Sequence, residues 1–253
     1  NNNITNKMFL SLMIPFILST ITQPLLGAAD MAVIGKLNNT NFISGVSIGT
    51  LIFNTIYWIF GFLRVSTTAY SAQSSHYTNK KDISDVFFRP LLIAFIISFI
   101  MIISQNLIFE SSMKFIKPEL EIEKAAITYF KILIWGAPFV LTNYVLLGWL
   151  IGLGNIKASM TMQISGNLLN IILDIIFVTV FNFKVEGVAY ATLISQIFST
   201  FLGVYFIFPY TYHKYIDLKS IINKKELISI FCVNRDLMVR TICLVSHNNL
   251  FTM

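Results

Sequence analysis

Charge is scarce in this chain. Lys and Arg number 18 and Asp and Glu 12, together 12% of 253 residues, about half the share that covers a water-soluble domain. That deficit excludes an ordinary globular protein surrounded by solvent on every side. There are two cysteines, Cys232 and Cys243, which cannot build a disulfide framework or a four-ligand metal site. The three histidines, His76, His213 and His247, are scattered, with no Glu or Cys at metal-ligand spacing. There is no zinc-protease motif and no phosphate-binding glycine loop. Proline contributes 6 residues while Phe contributes 23, a balance that argues against a disordered chain. Apolar residues are what is abundant, at 55%, with a mean hydropathy of +0.72. Their runs exceed about 18 residues, too long for the alternating strands of a membrane barrel. The fold class that remains is all-α, a polytopic helical membrane bundle.

Six spans are predicted near 8–37, 42–75, 86–109, 125–150, 158–183 and 187–212, with a seventh starting near Leu237. Each is long enough to cross about 30 Å of hydrocarbon at about 1.5 Å per residue. The breaks hold turn formers or charge: 36–39, 76–85, 110–124, 152–157, 182–187 and 212–226. The first run is too long for a signal-peptide core and is read as a retained span. Residues 1–212 form a six-helix lobe, 213–236 a cytoplasmic linker and 237–253 the start of helix seven, so the chain is expected to be incomplete. With the N-terminus inside, the inner connections hold Lys7, Lys80, Lys81, Arg89, Lys157, Lys214, Lys219, Lys224 and Lys225, nine cations. The outer ones hold Lys36, Lys114, Lys117, Lys124 and Lys184, five cations. That excess predicts a cytoplasmic N-terminus in the cell's inner membrane. The net charge of +6 lies mostly in these connections, which speaks for membrane anchoring and against a nucleic-acid partner.

Ionisable residues inside a span cost about 2.5–3.5 kcal/mol each and need partners or an interface. Lys131 is close enough to a span end to snorkel. Arg64, within span two, is a candidate for a gating role or for contact with the interface. Asp30 and Asp174 have short side chains and cannot snorkel far. Spans one and five run in the same direction, and both aspartates fall roughly 10–15 Å below the outer end. Thr192 of span six lies in the same slab. Asn167, Asn170 and Asp174, spaced i, i+3 and i+7, share one face of span five. Two carboxylates in an apolar layer require neutralisation, by a proton or by Na⁺ on oxygen ligands; alternatively they bond across helices and hold the bundle together. Pro15 in span one and Pro138 in span four remove backbone hydrogen bonds, leaving either a hinge or a fixed kink. Gly45 and Gly49, and Gly148 and Gly152, have the small-xxx-small spacing that lets helices approach closely. The first pair, within Gly45-Val46-Ser47-Ile48-Gly49, also fits a nucleophile-elbow pattern, rejected because it opens a membrane span.

The runs PLLGAADMAVIG (24–35), FLRVSTTAYSAQ (62–73), WGAPFVLTNYVLLGWLIGLG (135–154), GNLLNIILD (166–174), EGVAYAT (186–192) and VNRDLMVRTICL (233–244) resemble the multidrug and toxic compound extrusion (MATE) transporters. The resemblance is greatest to the prokaryotic branch named after the DNA-damage-inducible protein F. It implies two six-helix lobes, of which this chain holds the N-terminal one while the C-terminal lobe is missing. It also implies export of a small-molecule cationic or amphipathic substrate in exchange for H⁺ or Na⁺, with no other cofactor, and it leans toward H⁺. Asp30, Asn170, Asp174 and Thr192 match the family's cation-binding set, and Pro15 matches its helix-one hinge. Leu26 departs from the pattern, since some relatives carry a tyrosine there. A lipid-linked oligosaccharide flippase would line its cavity with several cations, and here only Arg64 qualifies. A non-transporting membrane subunit is a further alternative. An intramembrane enzyme has no nucleophile or metal constellation to support it.

Overall fold

The computed structural model describes residues 27–36, 40–74, 80–210, 221–222 and 235. Nine helices carry the described chain: α1 (27–35), α2 (Thr40–Ile59), α3 (Phe62–Ser74), α4 (Lys80–Ile103), α5 (Gln105–Ile116), α6 (Leu120–Leu133), α7 (Ala137–Gly152), α8 (Ile156–Ile175) and α9 (Val185–Ile207). There is no strand among the described residues. Five segments are long and apolar enough to cross a membrane, namely Thr40–Ser74, Ile83–Ile103, Leu120–Gly152, Ile156–Val180 and Val185–Ile207. They correspond to predicted spans two to six. Of span one, residues 27–35 are described and helical. Pro15, Leu26, His76, residues 237–253 and nearly all of 213–236 lie outside the described residues.

Several predicted boundaries are corrected. Span two is two helices, interrupted at Phe60-Gly61, where Gly61 N donates to Trp58 O at 3.1 Å in a tight turn. The polar stretch 110–124 is mostly helix. Phe109 and Met113 keep one buried face on α5 while Glu110 and Lys114 point outward, and polar residues confined to one face do not end a helix. The stop comes at Lys117, left-handed at φ 50°, followed by Pro118, which cannot continue the hydrogen-bonding pattern. Span four bends at a 3₁₀ turn over Ile134–Gly136, with Pro138 in the first turn of α7. A proline is tolerated there because its missing N–H has no helical partner. Span five ends in a π-helical turn, Ile176–Val180, and span six runs as α-helix to Ile207 and on through a 3₁₀ turn over Phe208–Tyr210, beyond which its predicted end at 212 lies outside the described residues. Between α7 and α8, Gly154 takes φ +75°, and the side chain of Asn155 caps α8 by accepting from Ala158 N at 3.3 Å.

Helix packing follows the small residues. α3 lies against α7, α2 against α6, and α8 against α9. A Cβ at Gly45 would collide with Ala125, and one at Gly49 with the ring of Tyr129. At Gly148 it would stand 2.5 Å from the carbonyl oxygen of Arg64, and at Gly152 2.5 Å from that of Thr68. Both glycine pairs therefore mark close helix approach, against backbone at Gly148 and Gly152 and against the Tyr129 ring at Gly49, and Ser47 sits inside α2 bonded to Ile43 O. The core includes Ile34, Val46, Leu63, Ile134, Leu141 and Leu150, with Phe53 stacked on Phe130 at 5.0 Å. Phe95, Phe99 and Ile103 of α4 and Phe201 and Tyr205 of α9 are exposed. In a bundle surrounded by acyl chains, such apolar faces need no further cover.

Gly148→Ala places a methyl against backbone that cannot move aside. It is expected to cost about 1–3 kcal/mol, lowering the thermal unfolding midpoint in detergent. Gly136→Ala, which meets only the flexible Leu193 Cδ1 at 3.3 Å, should leave the midpoint nearly unchanged; equal melts for the two variants would refute the close α3–α7 approach.

Candidate functional site

Asp30 comes from α1, Asn170 and Asp174 from consecutive turns of α8, and Thr192 from the second turn of α9. Asn170 and Asp174 are fully buried, while Asp30 and Thr192 are half-buried. The orientation of the Asn170 amide that satisfies both its ends directs Nδ2 to Asp30 Oδ1 (3.2 Å) and Asp174 Oδ2 (3.1 Å). Its Oδ1 then accepts from Thr192 N (3.0 Å) and Thr192 Oγ1 (3.2 Å). An amide offers two donor hydrogens and two lone pairs, so every valence of Asn170 is used. The Thr192 hydroxyl has one proton, which it can give either to this amide or to Val188 O at 2.9 Å. Asp30 and Asp174 stand close enough for each carboxylate to feel the other. Asp174 Oδ1 is buried and has no hydrogen-bond partner among the described residues.

Two carboxylates at this separation repel unless a proton or a small cation lies between them. The amide supplies both with a donor but neutralises neither. Such an arrangement can take up a positive charge among its carboxylate and hydroxyl oxygens. The π-helical turn that follows Asp174 widens α8 by one residue, a distortion frequent beside functional residues.

The sequence alone did not single out Tyr129. It is buried in α6, its hydroxyl accepts from Thr50 Oγ1 at 3.4 Å, and it stands close to Thr192, Asp30 and Asp174. Nothing in the local pattern of α6 marks it, because its only signal is a partner on other helices. A second polar group was likewise illegible: Asn143 Nδ2 donates to Gln196 Oε1 at 2.9 Å, and Thr200 Oγ1 donates to Asn143 Oδ1 at 2.9 Å. Both groups border one cavity of about 690 Å³, whose lining includes Asp30, Tyr57, Tyr129, Tyr144, Asn167 and Gln196. That volume is in the range of drug-sized ligand sites. Of the other residues singled out from sequence, Lys131 is exposed and Arg64 is half-buried. Pro15 lies outside the described residues.

A helical membrane bundle with two carboxylates sharing one buried amide, beside a cavity of mixed polarity, has the architecture of a transporter lobe. The chain belongs to the MatE family, whose model matches residues 15–176. DNA damage-inducible protein F of Escherichia coli (strain K12) is 29% identical over 247 residues, which make up 95% of this chain and 53% of that protein. A solved outward-facing conformation of a multidrug resistance MATE family transporter of the MOP superfamily aligns with a TM-score of 0.80 at 26% identity, over 91% of this chain and 51% of that one. A MATE structure in the bent conformation aligns with a TM-score of 0.77 at 26% identity, over 89% and 50%. The chain spans about half the length of these relatives.

Asn170→Leu removes the amide that bonds to both carboxylates and to Thr192. Leaving buried polar atoms unpaired costs about 1–3 kcal/mol, so a clear drop in the unfolding midpoint is expected. In the Asp30→Asn, Asp174→Asn background the same substitution should cost less, giving a double-mutant coupling of about 1 kcal/mol or more. Additive losses would mean that the three side chains do not act as one unit.

Proposed function

We propose that this chain is one lobe of a secondary antiporter that exports cationic or amphipathic compounds in exchange for H⁺ or Na⁺, lying in the plasma membrane with its N-terminus cytoplasmic. The observation that carries the reading is the Asn170 amide bridging Asp30 and Asp174, with Asp174 Oδ1 left unpartnered. A cation arriving there neutralises the pair and joins α1 to α8 and α9. Its departure restores two repelling charges and loosens α1, the described part of span one, the span on which the resemblance places the hinge, Pro15. The adjoining cavity then takes a substrate only while the seat is empty.

Thermodynamic linkage makes the exclusion mutual: a coupling ion that weakens substrate binding by some factor is itself weakened by substrate by the same factor, typically about 5–150-fold. Alternating access further requires a second body for the lobe to rock against. Relatives of twice this length, among them a multidrug resistance transporter, support a second lobe of similar size. H⁺ is favoured by the branch resembled, while Na⁺ would use the same oxygens.

The experiment is efflux of a fluorescent cation from proteoliposomes holding the full-length protein, with an imposed H⁺ or Na⁺ gradient. Asp30→Asn and Asp174→Asn should each lower gradient-driven efflux by at least about tenfold, within the usual span of coupling energies. Intact coupled efflux in both variants would overturn the mechanism.

A further inference from the structure

On the side of α7 away from the cavity lies a second hollow, of about 310 Å³. α7 is the partition between the two. Val140, Asn143, Tyr144 and Leu147 line the cavity, while Phe139, Thr142 and Leu146 line this groove, an alternation that the helical repeat requires. The two hollows have no lining residue in common. α4 and α9 supply the other walls. Phe87, Leu146 and Ile207 form a buried floor, and Phe95, Val204 and Phe208 an exposed rim, continuous with the apolar outer faces of α4 and α9.

Two of the groove's lining residues are polar, and they differ. The Thr200 hydroxyl is engaged, giving its proton either to Asn143 Oδ1 or to Gln196 O, both at 2.9 Å. Thr142 is only 5% exposed, yet its hydroxyl makes no hydrogen bond among the described residues. Thr55, Thr68, Thr128, Thr161 and Thr192 each donate to the carbonyl four residues earlier, the ordinary way for a threonine to satisfy its proton inside a helix. Thr142 keeps its donor free. Water is not the missing partner at this depth: Thr142 stands ten residues before the helix end at Gly152, about 15 Å along the axis, which is the half-thickness of the hydrocarbon. Phospholipid esters, confined to the interface, do not reach it either.

We propose that the groove is a second ligand site, open to the bilayer, for an uncharged aromatic ketone of two or three rings whose carbonyl oxygen accepts from the Thr142 hydroxyl. The lining decides each attribute. It holds no charged side chain, so an ion would lose its solvation without compensation. Five phenyl groups, Phe88 and Phe139 among them, offer faces and edges to an aromatic ring. The volume is at the lower end of the range for small-molecule sites. An acyl chain would leave Thr142 unpaired and would exchange one apolar setting for another, with no hydrophobic gain. A ketone dissolved in the bilayer has no donor there, so its bond to Thr142 is made without breaking one to water. The assignment uses neither the carboxylate pair nor the larger cavity and stands apart from the exchange reading.

The test uses benzophenone as a photoprobe and a matched pair of competitors, fluorenone and fluorene, which share a three-ring frame and differ by the carbonyl oxygen. Under near-ultraviolet light benzophenone takes a hydrogen from a neighbouring C–H and joins carbon to carbon, its ketone becoming an alcohol. The full-length protein in phosphatidylcholine nanodiscs is labelled with a trace of the probe, and the adducts are mapped by peptide mass spectrometry. Adducts should concentrate on 87–95, 138–146 and 200–208. Fluorenone should displace them at about fivefold lower concentration than fluorene, the worth of one neutral hydrogen bond. Thr142→Val keeps the shape and removes the donor, so fluorenone should fall to the level of fluorene, and fluorene itself should stay within about twofold of its original value. Thr142→Ser, which keeps a hydroxyl, should retain the preference, and Val204→Trp, which fills the groove from its rim, should abolish the labelling. Adducts spread evenly over lipid-facing residues such as Phe99 and Phe201 would mean that acyl chains alone occupy the groove, and would overturn the proposal. Equal displacement by the two competitors, or a preference for fluorenone that survives Thr142→Val, would do the same.

Discussion

Two like charges confined to an apolar layer can persist only if something positive is shared between them, and the arrangement around Asp30 and Asp174 follows from that constraint. Asn170 stands where its two amide hydrogens reach both carboxylates, which fixes the rotation of α8 relative to α1. Its carbonyl is met by Thr192, which fixes the register of α9. Tyr129 closes the group from α6 and ties it to Thr50 on α2. A single side chain thus sets the mutual position of several helices, and any change in charge at its two acceptors is felt by α1, α8 and α9 together.

The glycines supply the rigid half of the design. Gly148 and Gly152 bring α7 against the backbone of α3, and Gly45 and Gly49 bring α2 against α6, so these pairs move together or not at all. Close packing of this kind transmits a displacement without absorbing it. The breaks are concentrated elsewhere: the turn at Phe60-Gly61, the 3₁₀ turn before Pro138 and the π-helical turn after Asp174. A lobe built of locked pairs joined at distorted turns has few ways to respond to charge at its polar centre. Those ways run through α1 and α8.

Much of this was legible in sequence. Span number and order among the described helices followed from apolar run length, because lipid demands it. The level placement of Asp30 and Asp174 followed from a fixed rise per residue and the alternation of spans. Asn167, Asn170 and Asp174 shared a face by periodicity alone. The boundaries were less legible. Glu110 and Lys114 looked like a loop but lie on the outer face of α5, since a helix carries polar residues on one side without ending. Tyr129, Asn143 and Gln196 gave no signal, because what distinguishes them is a neighbour dozens of residues away.

The sequence by itself determined a helical membrane lobe, the level placement of its two acids and the close approaches at its glycine pairs, since each depends on a local repeat or a fixed length. Tertiary structure decided the rest: that one amide joins both acids, that a carboxylate oxygen is left unpartnered among the described residues, and that Tyr129 completes the group. Rotation of a helix about its axis and the bend at a broken turn are set by partners on other helices. No local pattern encodes them.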